Sequence, residues 1–169
     1  MKYKRFEDLP VWQDAIELAV RVFAFTARPI FRRYPGLRDQ IERSSVSISN
    51  NIAEGFERGT TPDLLTFLYI SRGSCGETRS VLCLCERLPG FLDLKSEISD
   101  LKLRAESISR QLRGRCAVAK LRHSRSALSD RKRASFHKTS SRARRVPQRI
   151  GRDQETRLVS AKLAIAHLK

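Results

Sequence analysis

One segment of the chain sets charged and amide side chains among apolar ones. Residues 50–58 read Asn-Asn-Ile-Ala-Glu-Gly-Phe-Glu-Arg within an otherwise apolar helical pattern. A carboxylate such as that of Glu54 beside apolar positions needs a hydrogen-bonding cation, and Arg43 or Arg72 would supply one with bidentate geometry. We predict a polar network that fixes the helix register and the geometry of an oligomer; a nucleic-acid contact or a docking notch for a partner is the alternative. The predicted network comprises Gln40, Arg43, Asn51, Glu54, Arg58, Arg72 and Glu77.

The residue types that enzymes use are not gathered in this sequence. His123, His137 and His167 all lie in the last third of the chain, so the body has no histidine to act as a base or a metal ligand. The sequence has no phosphate-binding glycine loop, no H-E-x-x-H and no G-x-S-x-G. We therefore predict a protein that is not an enzyme, with no catalytic residue, no cofactor and no metal site.

The cysteines indicate a reduced protein core. Cys75, Cys83, Cys85 and Cys116 lack the paired C-x-x-C spacing of a zinc site. They fall on apolar helical positions, where cysteine acts as a small hydrophobe, in keeping with a cytosolic protein. The sequence also shows no secretory signal and no run of about 18 apolar residues. We expect a cytoplasmic protein with no membrane partner.

The charge of the chain is concentrated in its last third. Residues 1–112 carry 17 Lys and Arg against 15 Asp and Glu, whereas residues 113–169 carry 17 against 3. The functional interpretation is an arginine-rich arm that neutralises phosphates, with salt-dependent and weakly sequence-specific binding. Two alternatives are a translated extension under little selection, such as a frameshift near codon 114 would give, and a segment that binds a partner. The candidate phosphate contacts are Arg131, Lys132, Arg133, Arg142, Arg144 and Arg145 in the tail, and Arg5, Arg21, Arg28, Arg32, Arg33 and Arg38 in the body.

Four amphipathic helices are predicted to position these residues. The first begins at Asp8 or Leu9 with Pro10 in its first turn. The second covers about residues 37–56. The third follows Thr61 as its N-cap with Pro62 at the first helical position, and the fourth begins near residues 93–96. Short connections between amphipathic helices favour antiparallel neighbours, so we predict an all-α, up-down four-helix bundle.

The bundle domain is predicted to cover residues 1–122. Residues 123–169 form a basic, largely disordered Arg/Ser-rich extension, in which apolar spacing predicts a short helix at 155–169. Within the bundle, the second helix carries small side chains that let a neighbouring helix approach closely. These are Ser44, Ser45, Ser47, Ser49 and Ala53.

Three segments, in order, resemble one protein family. FEDLPVWQDA (residues 6–15), SISNNIAEGF (47–56) and FLYISRGS (67–74) are similar to the motifs of the 23S ribosomal RNA intervening-sequence proteins. The resemblance covers roughly residues 3–114. It implies an antiparallel four-helix bundle that assembles as a ring-shaped homo-oligomer, a pentamer. Some members are encoded within insertions in ribosomal RNA genes, and a related branch, the accessory variability proteins of diversity-generating retroelements, binds nucleic acid and a reverse transcriptase.

The resemblance and the charge together predict a non-enzymatic accessory protein. Its expected partners are RNA or another nucleic acid, further copies of the same chain, and a protein partner. The alternative is a structural scaffold whose ring docks a protein such as a polymerase or a reverse transcriptase, with the basic tail incidental. This chain has a glycine at Gly76, where the family usually has an apolar-acidic stretch, and it continues well beyond the family's fourth helix.

Overall fold

A computed structural model gives the structure of the chain and describes the backbone of residues 3–143, with side chains for 3–121 and 124. The described part contains four α-helices and no strand: α1 (Pro10–Thr26), α2 (Pro35–Glu57), α3 (Thr61–Cys85) and α4 (Lys95–Ala143). Three short 3₁₀ helices, Phe6–Asp8, Pro29–Arg33 and Leu92–Leu94, lie before or between them. The predicted all-α four-helix fold is confirmed.

Contacts between the helices establish that neighbours run antiparallel. Between α2 and α3, Ser47 meets Ser74 at 3.0 Å and Ser44 meets Thr78 at 3.0 Å. Residue numbers therefore rise along one helix as they fall along the other. The same order holds between α1 and α4, where Asp14 pairs with Gln111 and Arg21 with Asp100. Just after α1, Arg28 continues the series with Glu97.

The predicted close approach of α2 to α3 is present and depends on small side chains. A Cβ atom added at Gly55 would lie 2.8 Å from Phe67 Cβ, closer than real carbon atoms pack. The buried hydroxyl of Ser71 donates to the Ile48 carbonyl of α2 at 2.9 Å. Backbones can come this near only where side chains are minimal, and the hydroxyls keep their hydrogen bonds there.

The start of α3 corrects the predicted cap by one residue. Thr60, not Thr61, is the N-cap: its backbone is extended, and its Oγ1 accepts a hydrogen bond from the Asp63 amide at 3.2 Å. A capping oxygen reaches the amide three residues further on, which is where Asp63 stands. Helix α1 begins at Pro10 with Leu9 as its N-cap, one or two residues later than the predicted start at Asp8 or Leu9, and Pro10 stands in the first turn as predicted.

The hydrophobic core runs through all four helices from Leu9 to Cys116. At the end where α1 leads into α2, Phe91 packs on Phe31 at 5.3 Å between ring centroids and on Phe25 at 6.3 Å. All three rings are buried. The loop between α3 and α4 is thus fixed to the loop between α1 and α2, because edge-to-face aromatic contacts add to their burial.

The fourth helix continues past the predicted end of the bundle at residue 122. Residues 115–143 contain neither proline nor glycine and are rich in Ala, Leu, Lys and Arg, which all favour helix. Contacts group Met1–Ser124 into one compact unit, and a second unit begins at Arg125. The predicted short helix at 155–169 lies outside the described residues.

Candidate nucleic-acid interface

Glu54 pairs with a cation of its own helix. Its Oε1 accepts hydrogen bonds from Arg58 Nη2 at 2.7 Å and Arg58 Nε at 3.2 Å, and both side chains are half exposed. The pairing suggested by the sequence, with Arg43 or Arg72, does not occur. The Arg58 guanidinium also lies 4.7 Å from the centre of the Phe67 ring, so it links α2 to α3 by a cation–π contact.

The other members of the predicted network form separate groups. Arg43 donates to Gln40 Oε1 at 2.8 Å, and the Gln40 amide donates to Glu77 of α3. One turn or more away, Asn51 donates to the carbonyl and the hydroxyl of Ser47 at 2.7 and 3.0 Å. The structure therefore places the predicted residues along the α2–α3 seam but does not join them into one network.

Most of the body arginines that were predicted to contact phosphates already have their charge neutralised by a carboxylate of this chain. Arg32 and Arg33, exposed on the 3₁₀ helix Pro29–Arg33, are the two of the six that have no carboxylate partner in the described part of the chain. The other four form ion pairs within this chain: Arg5 with Glu7 at 2.6 Å, Arg21 with Glu17 at 2.7 Å, Arg28 with Glu97 at 2.5 Å, and Arg38 with Asp39 at 3.3 Å.

A group that sequence reasoning missed lies where α3 faces the end of the bundle part of α4. The ring of Tyr69 is 40% exposed and stands between two cations. Lys120 Nζ lies 5.2 Å from the ring centroid and Arg72 Cζ lies 5.8 Å from it. A hydrogen bond with Tyr69 raises the pKa of Lys120, so this amine stays charged. We call Tyr69, Arg72 and Lys120 the tyrosine–cation cluster.

Within residues 3–121, neither cation of this cluster is paired with a carboxylate: no ion pair there includes Arg72 or Lys120. Cys116 lies close enough to both for their charges to favour its thiolate, although burial has the larger effect and raises the pKa of this thiol. The cluster is thus a fixed site of positive charge around an exposed aromatic ring, the combination that holds a phosphate beside a base.

The cluster could have been found only from the register between α3 and α4, that is, from which residues of the two helices face each other. Lys102 of α4 pairs with Glu86 of α3 at 2.9 Å. About five turns further along antiparallel helices, Lys120 must face the neighbourhood of Tyr69. Arg72 is three residues from Tyr69 and so shares its face. The sequence alone does not reveal the register, because Lys120 lies beyond the regular heptad spacing.

A second exposed surface is apolar. Ile16, Val20 and Phe23 lie on the outward face of α1 at helical spacing, and Val20 is 59% exposed. Phe23 borders an open groove of about 610 Å³, whose other lining residues all belong to α2: Asp39, Glu42, Arg43, Val46, Ser47 and Asn50. Three large apolar side chains in one exposed row are more than isolated surface residues, and such rows mark interaction surfaces. We call this row the α1 stripe.

All four cysteines were predicted to lie in the core. Cys75, Cys85 and Cys116 are buried there, whereas Cys83 is half-buried. Burial raises the pKa of Cys75 to about 12 and that of Cys85 to about 11. In the described residues, no three His, Cys, Asp or Glu side chains are grouped as metal ligands would be. Over the same residues, each helix is too short or too polar to cross a membrane.

The basic residues predicted in the tail are described only in part. Arg131, Lys132, Arg133 and Arg142 belong to the backbone of α4. Arg144 and Arg145 lie outside the described residues. Phosphate binding by these six tail residues therefore stays a prediction from the sequence, whereas the tyrosine–cation cluster is supported by distances between its side chains.

The comparisons with known proteins agree with the resemblance of the three motifs. The model of a protein family described as "23S rRNA-intervening sequence protein" matches residues 7–114. The match covers α1, α2, α3 and the bundle part of α4, and it ends just before Arg115. No curated protein matches the chain.

Proposed function

The chain belongs to the 23S rRNA-intervening sequence protein family, and from this premise we propose that it is a non-enzymatic RNA-binding accessory protein that assembles with copies of itself. The family fixes the fold and leaves the task open, because a fold hosts many functions. Support for RNA binding therefore comes from the surface of this chain.

The tyrosine–cation cluster is the observation that carries the proposal. Lys120 and Arg72 flank an exposed ring, and neither pairs with a carboxylate of residues 3–121, unlike Arg5, Arg21, Arg28 and Arg38. A cation already paired with a carboxylate releases fewer counterions on binding phosphate, whereas an unpaired one contributes fully. The exposed ring of Tyr69 adds a stacking surface for an unpaired base. From Arg113 onward, α4 adds further basic residues to the same end of the chain.

The experiment measures how affinity for RNA depends on salt. A labelled single-stranded RNA and a labelled hairpin are titrated with the full chain at several KCl concentrations, and fluorescence anisotropy gives the dissociation constants. The variant Arg72→Gln/Lys120→Gln should bind less tightly, with a log–log salt slope smaller by about 1.5, since each phosphate contact contributes roughly 0.7–0.9. Tyr69→Leu should weaken binding of the single-stranded RNA more than that of the hairpin.

A matched control separates the cluster from the overall charge. The double variant Arg104→Gln/Arg110→Gln also removes two positive charges, both from α4, but these arginines are paired with Asp100 and Glu106. We expect its salt slope to change by less than half as much. If both double variants lose affinity equally, the chain binds RNA through net charge alone and the cluster is not its reader.

The α1 stripe supports the second part of the proposal, association of the chain with itself. A row formed by Ile16, Val20 and Phe23 exposes apolar area that a copy of this chain would cover, and burying such area is the main driving force of association. The groove beside Phe23 gives the row a recessed edge into which a partner's side chains fit. A ring, with the pentamer as its proposed size, would repeat this contact around one axis.

Solution mass tests the stripe. Light scattering on the full chain should give a multiple of the 19.3 kDa monomer. Val20→Glu should reduce it to the monomer, because a carboxylate cannot be buried in an apolar contact without a partner. The control Leu103→Glu adds the same charge at an exposed apolar residue of α4 and should leave the mass unchanged. A monomeric parent chain would rule out the ring. The α1 stripe would then be a binding surface for a different protein, as in the scaffold alternative.

A further inference from the structure

The end of the bundle opposite the aromatic loops contains a cavity. It opens between the ends of α2 and α3, the residues before α1, and α4, and has a volume of about 570 Å³. This is within the range of about 300–1,000 Å³ found for small-molecule sites. Its position between helices is also where bundles hold ligands. We call it the end cavity.

The wall of the end cavity is mostly hydrocarbon. Ile52 and Phe56 of α2, Leu64 and Leu68 of α3, and Val118 of α4 line it. Gly114 of α4 lines it as well, and a Cβ added there would meet no atom within 4 Å. The space is therefore open rather than filled by a neighbouring side chain. A hydrocarbon chain placed there would leave water for an apolar surface, which is favourable.

One cation, Arg115, lies on this wall. Arg115 is half-buried, and it is the charged residue among those that line the cavity. In the described part of the chain, no carboxylate or carbonyl is bonded to its guanidinium. The neighbouring amide, Gln111, is by contrast engaged, since its Nε2 donates to Asp14 Oδ2 at 2.7 Å. Partly desolvated guanidinium groups favour a carboxylate, which they bind with two parallel hydrogen bonds.

We propose that the end cavity binds a small amphipathic anion: a medium-length alkyl carboxylate. Its hydrocarbon chain lies against Phe56, Leu64 and Leu68, and its carboxylate pairs with Arg115. Two independent features of the site select this class. The apolar wall favours a ligand with a hydrocarbon chain over small ions and sugars, while the guanidinium favours a carboxylate over a neutral head group and repels amines. None of the three residues of the tyrosine–cation cluster lines the end cavity, so variants at Arg115 and Gly114 test ligand binding without altering the cluster.

Calorimetric titration of the full chain with decanoate and with decanol tests the charge selection. Decanoate should bind, and Arg115→Met should weaken it at least about tenfold, because a charge-assisted hydrogen bond is lost. The same variant should leave decanol binding within about twofold of the parent, since methionine preserves the apolar wall. Arg113→Met is the matched control: it removes one exposed charge two residues away on α4, outside the cavity wall, and should change neither ligand.

Filling the cavity tests its location. Gly114→Leu places an isobutyl group into the open space and should abolish binding of both ligands. Gly73→Leu makes the same change in α3 at a position that also meets no atom but does not line the cavity, and it should bind decanoate like the parent. Circular dichroism establishes that both variants remain helical. Failure of the full chain to bind decanoate, or binding that survives both Arg115→Met and Gly114→Leu, would overturn the proposal.

Discussion

Replacing Gly55 by alanine tests the close contact between α2 and α3. The new Cβ would lie 2.8 Å from Phe67 Cβ and 3.4 Å from the Leu64 Cα. Carbon atoms pack best at roughly 3.5–4.0 Å, so α3 must move away from α2 by several tenths of an ångström. Phe67 Cβ is fixed to the backbone, and turning the side chain does not remove the clash.

The magnitude follows from two opposed effects. Overpacking of this kind lowers the free energy of unfolding by about 1–3 kcal/mol, while replacing glycine by alanine in a helix raises it by roughly 1 kcal/mol. Gly73→Ala isolates the second effect, because Gly73 is also helical and a Cβ there meets nothing within 4 Å. The helix-propensity gain is common to both variants, so their unfolding free energies should differ by about 1–3 kcal/mol, with Gly73→Ala the more stable.

Urea denaturation followed by circular dichroism at 222 nm measures this difference. All variants are compared at one protein concentration, so that self-association contributes equally. Gly73→Ala should raise the urea midpoint above that of the parent, and Gly55→Ala should lie below Gly73→Ala. Equal stabilisation by the two substitutions would mean that α2 and α3 are further apart than the Gly55–Phe67 contact requires, and the argument from small side chains would fail.

Three further predictions concern capping, pH and salt. Thr60→Ala removes the N-cap of α3 and should lower the free energy of unfolding by about 1 kcal/mol. The control Thr66→Ala, at an exposed position of the same helix, should not lower it by this amount. Equal urea midpoints for the two variants would refute the cap. Burial raises the pKa of the Cys75 thiol from its ordinary 9.0 to about 12. The contribution of this thiol to stability is therefore complete below pH 9 and is lost as the pH rises towards 12. In the native protein Cys75 should resist iodoacetamide at pH 8, and rapid labelling of Cys75 detected by mass spectrometry would contradict this. Arg28→Gln breaks the ion pair with Glu97 and should lower stability by less than about 1 kcal/mol at low salt, an effect that urea titrations in 0.5 M NaCl should no longer detect.

Local sequence patterns predicted the helices because each depends on near neighbours along the chain. Proline is tolerated in the first turn, so Pro10 marked the start of α1 without any knowledge of packing. The small residues of α2 likewise indicated a close neighbour, and Ser44 and Ser47 indeed bond to α3. The cap of α3 was misassigned by one residue because Thr60 and Thr61 are equivalent as residue types, and only the backbone conformation distinguishes them.

The partner of each charge was not predictable in the same way. Spacing alone offered Glu54 several arginines, and the nearest on its own helix, Arg58, forms the pair. Similarly, Arg28 belongs to Glu97 of α4, far away in the sequence. A long-range pair such as Arg28–Glu97 depends on which faces of two segments meet, and side-chain type carries no information on that choice, whereas an i,i+4 pair such as Glu54–Arg58 follows from helical spacing. Of the four body arginines that are engaged within the chain, three pair with a carboxylate no more than four residues away in the sequence.

Composition, local spacing and motifs are enough to establish that this chain forms four amphipathic helices of a recognisable family and that its charge is concentrated in the last third. Which cations stay unpaired in the described part of the chain depends instead on how the helices pack. The antiparallel packing of α4 on α3 brings Lys120 to Tyr69 and Arg72, and the meeting of helix ends leaves Arg115 on an apolar cavity wall. Both outcomes depend on register between distant segments, which no local pattern encodes.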